Sequence, residues 1–387
     1  MEIEPTLLAF PMHGSGKLIR EGFRTRDGHF LEWSAKILGS SHRIDVYSRP
    51  EPAVLAYRDY RRMTLTAKHA SLNEMNSYSM RLPSLSDRQR WWETSKNSYR
   101  RPRADSGRIP ALVWNPFVAV SNVADIVFNG QRMVHLDLLD DWTHHFAFGA
   151  IKKEVEAAYA AAFESATYVT ANSEGTAALA RRFGRSDVTM ILNGVDPQRF
   201  STISAAKGPI TVGYVGKIGR RLDLELIQQA ARQLPNFQFV MAGPVLDAEY
   251  KTGLEFIPNV KLIGDVHYDE MPSLLQTFDI GWVPHRVGEG EVGGDVIKTY
   301  EYRAAGLPVL STPVAGAGSR GLGSVTVLAA EKHIAFLDAE LAGRTRVARI
   351  PERIAAEMRW GTKTLDVLNP LFDRALVNYD RLTDDHV

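Results

Sequence analysis

The sequence predicts an α/β protein built from two doubly wound parallel-sheet domains, and three observations predict it. The chain has 387 residues, too long for one ordinary hydrophobic core and right for two domains of roughly 150 to 200 residues. Short apolar runs alternate with glycine-containing loops and helical periodicity, which is how a parallel sheet with crossover helices is written. That alternation lapses over a polar, weakly periodic stretch from Asp196 to Pro209 and then restarts.

The elements follow in order. Thr6 to Pro11 reads as a strand, His13-Gly14-Ser15-Gly16-Lys17 as a loop and Phe30 to Leu38 as a helix, with a second strand at Arg43 to Ser48. Ser84 to Arg108 carries seven basic and three acidic residues among Trp91, Trp92 and Tyr99, without a clear period; it reads as a surface excursion. Arg132 to Leu136 is a strand leading into Asp137, Asp140 and Asp141, and Ala150 to Ser165 is an alanine-rich helix. Tyr168 to Ala171, Glu174 to Phe183 and Val188 to Leu192 continue as strand, helix and strand, ending in the turn Asn193-Gly194-Val195-Asp196-Pro197. Beyond the linker, strands are expected at Ile210 to Val215, Phe237 to Ala242, Val260 to Ile263, Ile280 to Val283 and Pro308 to Ser311. Helices fall at Leu222 to Leu234, Met271 to Thr277 and Val296 to Ala305. After Pro351 the pattern is helical to Leu382, with a break at Pro370. The domains are therefore 1–200, with a linker about 197–208, then 209–365, and a helical segment 366–387 returning to the first domain.

Composition narrows the class. Apolar residues at 44% and charged residues at 24% are those of a folded globular chain. With 46 basic and 45 acidic residues, no global field draws the protein to nucleic acid or an anionic membrane, so a nucleic-acid partner is not expected. There is no cysteine, which excludes disulfides, thiolate nucleophiles and zinc–thiolate sites and fits a reducing compartment. The N-terminus has acids where a signal peptide needs a basic region, and no window reaches 18 uninterrupted apolar residues. A cytoplasmic protein without a transmembrane segment is expected, and the basic, tryptophan-bearing stretch 84–108 is its candidate for peripheral contact with the inner membrane surface or a lipid-linked acceptor.

In open α/β sheets ligands bind beyond the carboxyl ends of the strands. Two loops there carry chemistry. Gly216-Lys217-Ile218-Gly219-Arg220-Arg221 sets two glycines and three cations before a helix N-terminus, a pattern for an anion. Lys298 and Glu301 stand three apart on one helix face, a pairing able to hold a diphosphate and a ribose diol, or simply each other. His13, after the first strand, and the Asp137, Asp140 and Asp141 cluster are candidate bases, one aspartate being open to a raised pKa from its neighbours or to helix capping. His144 and His145 are adjacent, so they point apart and make no metal pair. Gly14 to Lys17 lacks the spacing and hydroxyl residue of a triphosphate loop.

The segment KxYEYxAAGxPVxST from Lys298 closely resembles the donor-binding helix of nucleotide-sugar glycosyltransferases of the two-Rossmann GT-B fold, in which the two domains face a cleft. HLDLLDDW, NGVD, GYVGKIG, FVMAGP and VKLIGDVHYDEMPSLLQTFDIGWVP follow in the order and spacing of bacterial polysaccharide glycosyltransferases, family 1/4-like and of the teichuronic-acid type. The resemblance implies a donor, UDP-sugar favoured, on the C-terminal domain, a glycan, lipid-linked or small-molecule hydroxyl acceptor on the N-terminal domain, and no cofactor. It implies that Gly216 and Lys217 face the diphosphate, with Arg220 or Arg221 supplying the charge of a lysine that would fall near Leu222. Gly243 would lie near the nucleotide, and Tyr268 and Met271 would cover the base. Lys298 would contact phosphate and Glu301 ribose. His13 and Asp140 are the base candidates, and the cations stand in for a metal. Many retaining members carry a glutamate eight residues before the one at 301; here that position is Gly293, with Glu289 and Glu291 nearby. An epimerase or hydrolase of the same fold, or a binding protein without turnover, are the alternatives.

Overall fold

The computed structural model describes residues 5–54, 63–84, 87–103, 106–288, 294–314 and 320–372. The chain divides into two units, one of residues 1–192 and 360–387 with three residues near 293, the other of the remaining residues between 193 and 359.

In the first unit, the strands are β1 (Pro5–Phe10), β2 (Arg43–Tyr47), β3 (Leu72–Met75), β4 (Ala111–Val113), β5 (Val134–Leu138), β6 (Tyr168–Ala171) and β7 (Val188–Met190). They form a parallel sheet in the order β3-β2-β1-β4-β5-β6-β7. The interior strand β1 carries a continuous apolar run, as expected where helices cover a parallel sheet on both faces; Leu7, Leu8, Ala9 and Phe10 are wholly buried. The helices that position the site are α1 (Ser15–Glu21), α2 (Arg26–Leu38), α3 (Lys152–Ser165) and α4 (Glu174–Arg182). Ser173 starts α4 with a capping box, its hydroxyl accepting from the Thr176 amide.

The second unit repeats the plan. Its strands β8 (Thr211–Val215), β9 (Gln238–Ala242), β10 (Val260–Gly264), β11 (Ile280–Val283), β12 (Val309–Ser311) and β13 (Val325–Val327) lie in the order β10-β9-β8-β11-β12-β13. Both orders place the chain reversal beside the first strand of the sheet, the arrangement of a doubly wound nucleotide-binding domain. The helices α5 (Leu224–Gln233), α6 (Ile297–Ala304) and α7 (His333–Leu341) pack on it. Asp223 caps α5, accepting from the Leu226 amide at 3.0 Å.

Helix α8 (Trp360–Phe372) belongs to the first unit and packs on α2. Trp360 is fully buried, stacked on His29 at 4.6 Å and edge-on to Phe30 at 5.5 Å. Burial of Trp360, Leu365, Leu368 and Leu371 stabilises the docking by about 1.5–3 kcal/mol per side chain. The return to the first unit thus begins at Trp360 rather than 366, and α8 runs through Pro370 without a break; packing outweighs the one hydrogen bond proline removes. At the other junction, the second unit starts at Asn193 rather than 209. The Asn193 amide donates to Asp295 at 2.8 Å, and Val195 bridges Arg359.

The described part of the 84–108 stretch contains a short helix, Trp91–Ser95. Trp91 and Trp92 open it, and both are buried. Trp91 Nε1 donates to the Pro50 carbonyl at 2.9 Å, and Trp92 packs 4.9 Å from Trp142. The two tryptophans thus face the core, the plainer reading of this stretch, and Arg90, Lys96 and Arg101 pair with Asp87, Glu93 and Asp125. Among the described residues no helix is long and apolar enough to cross a membrane.

Candidate functional site

In the second unit, the carboxyl ends of β8, β9 and β11 converge on one site. Just past β8, Gly216 has φ 146°, and just past β9, Gly243 has φ 143°. The two backbones touch: a Cβ on Gly243 would lie 2.6 Å from the Gly216 carbonyl carbon and closer still to its oxygen. Only glycine permits that approach, and it leaves the Gly216 loop open to a ligand as backbone. Beyond it, Lys217 is exposed.

Arg220 points elsewhere. Its amide donates to Asp247 Oδ2 at 3.1 Å and its guanidinium lies 3.8 Å from the same carboxylate. The charges of Arg221 and Lys217 bear on Lys298, and that of Arg221 also bears on His285.

Helix α6 is fixed by Tyr302, whose Oη accepts the Val215 N–H at 2.8 Å. Its ring fills the space that Gly281 leaves, where a Cβ would lie 2.7 Å from Tyr302 Cγ. This presents Lys298 and Glu301 at the carboxyl end of β8. Among the described residues Lys298 forms no ion pair; its ammonium lies 5.1 Å over the Tyr214 ring. The plain alternative, a surface Lys–Glu pair, is thereby excluded. Burial, offset in part by the Glu301 carboxylate and reinforced by Arg221 and Lys217, pushes the Lys298 pKa down to about 8. Glu301 is buried at 4% exposure.

His285 was not legible in the sequence, standing beyond the strand end in VPHRV. Its imidazole is edge-on to Tyr214 at 6.1 Å. Burial, then Lys298 and Arg221, hold its pKa well below the ordinary histidine value, so it is neutral. Tyr268 and Met271, expected over a base, are core residues at 1% and 4% exposure, packed with Val240, Leu275 and Tyr302. Short hydrophobic spacing at a strand end cannot distinguish lining from core. Gly293, Glu289 and Glu291 lie outside the described residues.

In the first unit, His13 follows β1 and is buried. Its Nδ1 lies 3.0 Å from both Asp27 oxygens, and its amide donates to Asp27 Oδ2 at 3.1 Å. Asp27 sits in the first turn of α2 and accepts the Thr25 hydroxyl at 2.6 Å. Burial alone would raise its pKa, yet the charge and hydrogen bonds of His13 and the Thr25 hydroxyl pull it far below the carboxylate range. An anionic carboxylate holding Nδ1–H leaves Nε2 as the acceptor, the geometry of an oriented base.

The aspartate cluster divides. Asp137 is wholly buried and saturated: Arg26 donates to both oxygens at 2.8 Å, Trp114 Nε1 at 2.8 Å and the Thr170 hydroxyl at 2.6 Å. Asp141 accepts from Thr143, His144 and Arg182. Burial raises its pKa, but Arg182 and these hydrogen bonds leave it lowered, opposite to the rise expected from like charges. Asp140 is partly exposed, its carbonyl accepting the Tyr159 hydroxyl at 3.0 Å. His144 faces Asp141, whereas His145 Nδ1 accepts the Ala147 amide. Among the described residues no three histidine or carboxylate groups cluster to hold a metal.

Comparison with known proteins agrees with this layout. Residues 209–339 match the family described as "Glycosyl transferases group 1". A Bacillus subtilis (strain 168) protein, assigned by name to teichuronic acid biosynthesis as a glycosyltransferase, is 31% identical over 140 residues, 33% of this chain and 35% of that protein. The chain thus matches about a third of the length of this curated relative. Among solved structures, an Anabaena protein in complex with UDP and glucose has a TM-score of 0.59 at 14% identity, covering 99% of both chains. Sucrose-phosphate synthase from Thermosynechococcus elongatus has a TM-score of 0.64 at 13% identity, covering 99% of this chain and 97% of its own. Two Rossmann-like parallel sheets in this order are the GT-B fold, and the chain has it.

Proposed function

We propose that this chain, whose second unit is that of a group 1 glycosyltransferase, moves a sugar from a nucleoside-diphosphate sugar to an acceptor hydroxyl. The observation that carries the reading is the unpaired Lys298 ammonium, with buried Glu301 on the same helix, beside the Gly216–Gly243 backbone contact. A cation without a carboxylate partner at the carboxyl end of a doubly wound sheet is a place for a phosphate. UDP is the favoured nucleotide, because the Anabaena structure of like fold holds UDP and glucose.

In this reading the Gly216 backbone, Lys217, Arg221 and Lys298 hold the diphosphate and stabilise the charge that develops as it leaves, while Glu301 accepts the ribose hydroxyls. Neutral His285 borders the site without adding a further repulsive charge. These cations supply the charge neutralisation that a divalent ion gives other transferases, and turnover is expected to survive EDTA. His13, oriented by Asp27, takes the proton from the acceptor hydroxyl; it is preferred to Asp140 because its tautomer is fixed by a buried anion. A base acting on the acceptor favours inversion at the anomeric carbon, which NMR of the first-formed product tests.

The deciding experiment is a thermal-shift panel of UDP, GDP, TDP, CMP and their sugars on the wild type and Glu301→Ala. Stabilisation by one nucleotide family, lost in the variant, supports the reading; no response to any nucleotide rejects it. Product analysis with donor alone separates transfer from epimerisation or hydrolysis. Binding without turnover on any acceptor would identify a binding protein.

A further inference from the structure

Two enclosed guanidinium groups in this chain bind protein acceptors. Arg26 makes two bonds to Asp137, and Arg349 Nη2 donates to the carbonyls of Leu275, Gln276 and Phe278. Arg49 differs. Its guanidinium lies 4.3 Å over the Trp92 ring, its Nε is enclosed without an acceptor, and among the described residues it forms no hydrogen bond or ion pair. Stacking on tryptophan orients a guanidinium but satisfies none of its donors. Leaving the enclosed Nε–H unmade costs free energy unless a ligand completes it.

Its position gives the ligand a context. Arg49 is two residues beyond β2, at the carboxyl edge of the first sheet where ligands sit in open α/β folds. Ser48 binds the next loop directly: the Ser15 amide donates to Ser48 Oγ at 3.1 Å, the two hydroxyls are hydrogen-bonded, and Ser48 donates to Asn76 at 3.2 Å. Ser15 is two residues from His13. The guanidinium and the candidate base therefore stand on adjoining strand-end loops tied by one hydrogen-bonded pair. The charged and titratable neighbours of Arg49 are Glu51 and Tyr99. Glu51 is turned toward Gly14, against the position a Cβ would take there, and the Tyr99 hydroxyl accepts from Asn115 at 2.7 Å.

We infer that Arg49 is an anion-recognition residue of the acceptor subsite, and that the acceptor carries an oxyanion, carboxylate or phosphate, close to the hydroxyl that receives the sugar. A fork of N–H donors held flat on Trp92 suits bidentate capture of either group. The inference rests on the reading of the chain as a glycosyltransferase whose first unit holds the acceptor.

The test uses the full chain saturated with UDP and three probes: an aryl glucuronide, its neutral methyl ester, and the corresponding aryl glucoside 6-phosphate. Binding is followed by saturation-transfer NMR and calorimetry. The wild type is expected to bind at least one charged probe about tenfold or more tighter than the ester, the better of the two identifying the oxyanion. Arg49→Gln should reduce that preference to within about twofold while leaving UDP affinity unchanged, and Arg49→Lys, which keeps the charge and guards against a folding defect, should retain part of it. Equal binding of charged and neutral probes, absence of charged-probe binding at millimolar concentration, or a preference surviving in Arg49→Gln overturns the inference. A wild type that selects charged probes through Arg49 but binds no nucleotide would instead overturn the glycosyltransferase reading and leave the anion site standing.

Discussion

Gly243→Ala probes the backbone contact on which the nucleotide site is built. The added methyl would meet the Gly216 carbonyl carbon at 2.6 Å, with the oxygen nearer, while residue 243 keeps φ 143°. Backbone strain at a glycine-only conformation costs about 1–3 kcal/mol, and the overpacking about 1–3 kcal/mol more, so a loss of roughly 2–6 kcal/mol is expected if nothing moves. Should the Gly216 tip retreat instead, the stability loss shrinks and, on the proposed reading, UDP affinity falls because the loop assigned to the diphosphate is displaced. The control is Gly208→Ala: φ is 74° but no atom lies within 4 Å of the new Cβ, so only about 1–2 kcal/mol of left-handed strain applies. Urea unfolding by circular dichroism and UDP titration are measured on both variants. If Gly243→Ala matches Gly208→Ala in both measurements, the reasoning is refuted.

Other outcomes follow from the charges. Because the Lys298 pKa is pushed down to about 8 in the empty site and a bound diphosphate would raise it again, UDP affinity should fall as pH rises through about 8, with proton uptake on binding; Lys298→Met should flatten that profile. The same shift has a stability sign: between about 8 and the ordinary lysine range near 10.4 the unfolded chain binds more protons, so stability attributable to Lys298 rises with pH there. His13→Ala should lower kcat by about 10²–10⁴-fold with UDP binding intact, and unchanged turnover would return the base role to Asp140. Asp27 is depressed, so its contribution is present above the ordinary carboxylate range and is lost as pH falls toward its folded value; Asp27→Asn should blunt acid denaturation curves in that window.

The two sheets were legible because buried parallel strands are written as apolar runs before glycine loops, as at Tyr168–Ala171 and Ile280–Val283. Strands β3, β4 and β13 were not read from the sequence; β3, LNEM, carries polar residues in place of an apolar run. Lys298 and Glu301 could be paired by reading because one helix face carries both. Asp27 could not be tied to His13, nor Arg49 to Trp92, because folding alone brings them together. Asp247, just past the carboxyl end of β9, binds Arg220, a contact that sequence spacing does not reveal. Tyr268 and Met271 carry the right residue types, but burial assigns them to the core.

The central claim is a nucleoside-diphosphate site in the second unit, and a calorimetric titration of UDP into the wild type and Glu301→Ala tests it most directly. The account predicts saturable binding at one site per chain, weakened about tenfold or more in the variant. Equal affinity in both proteins, or no binding of any nucleoside diphosphate to the wild type, would contradict it.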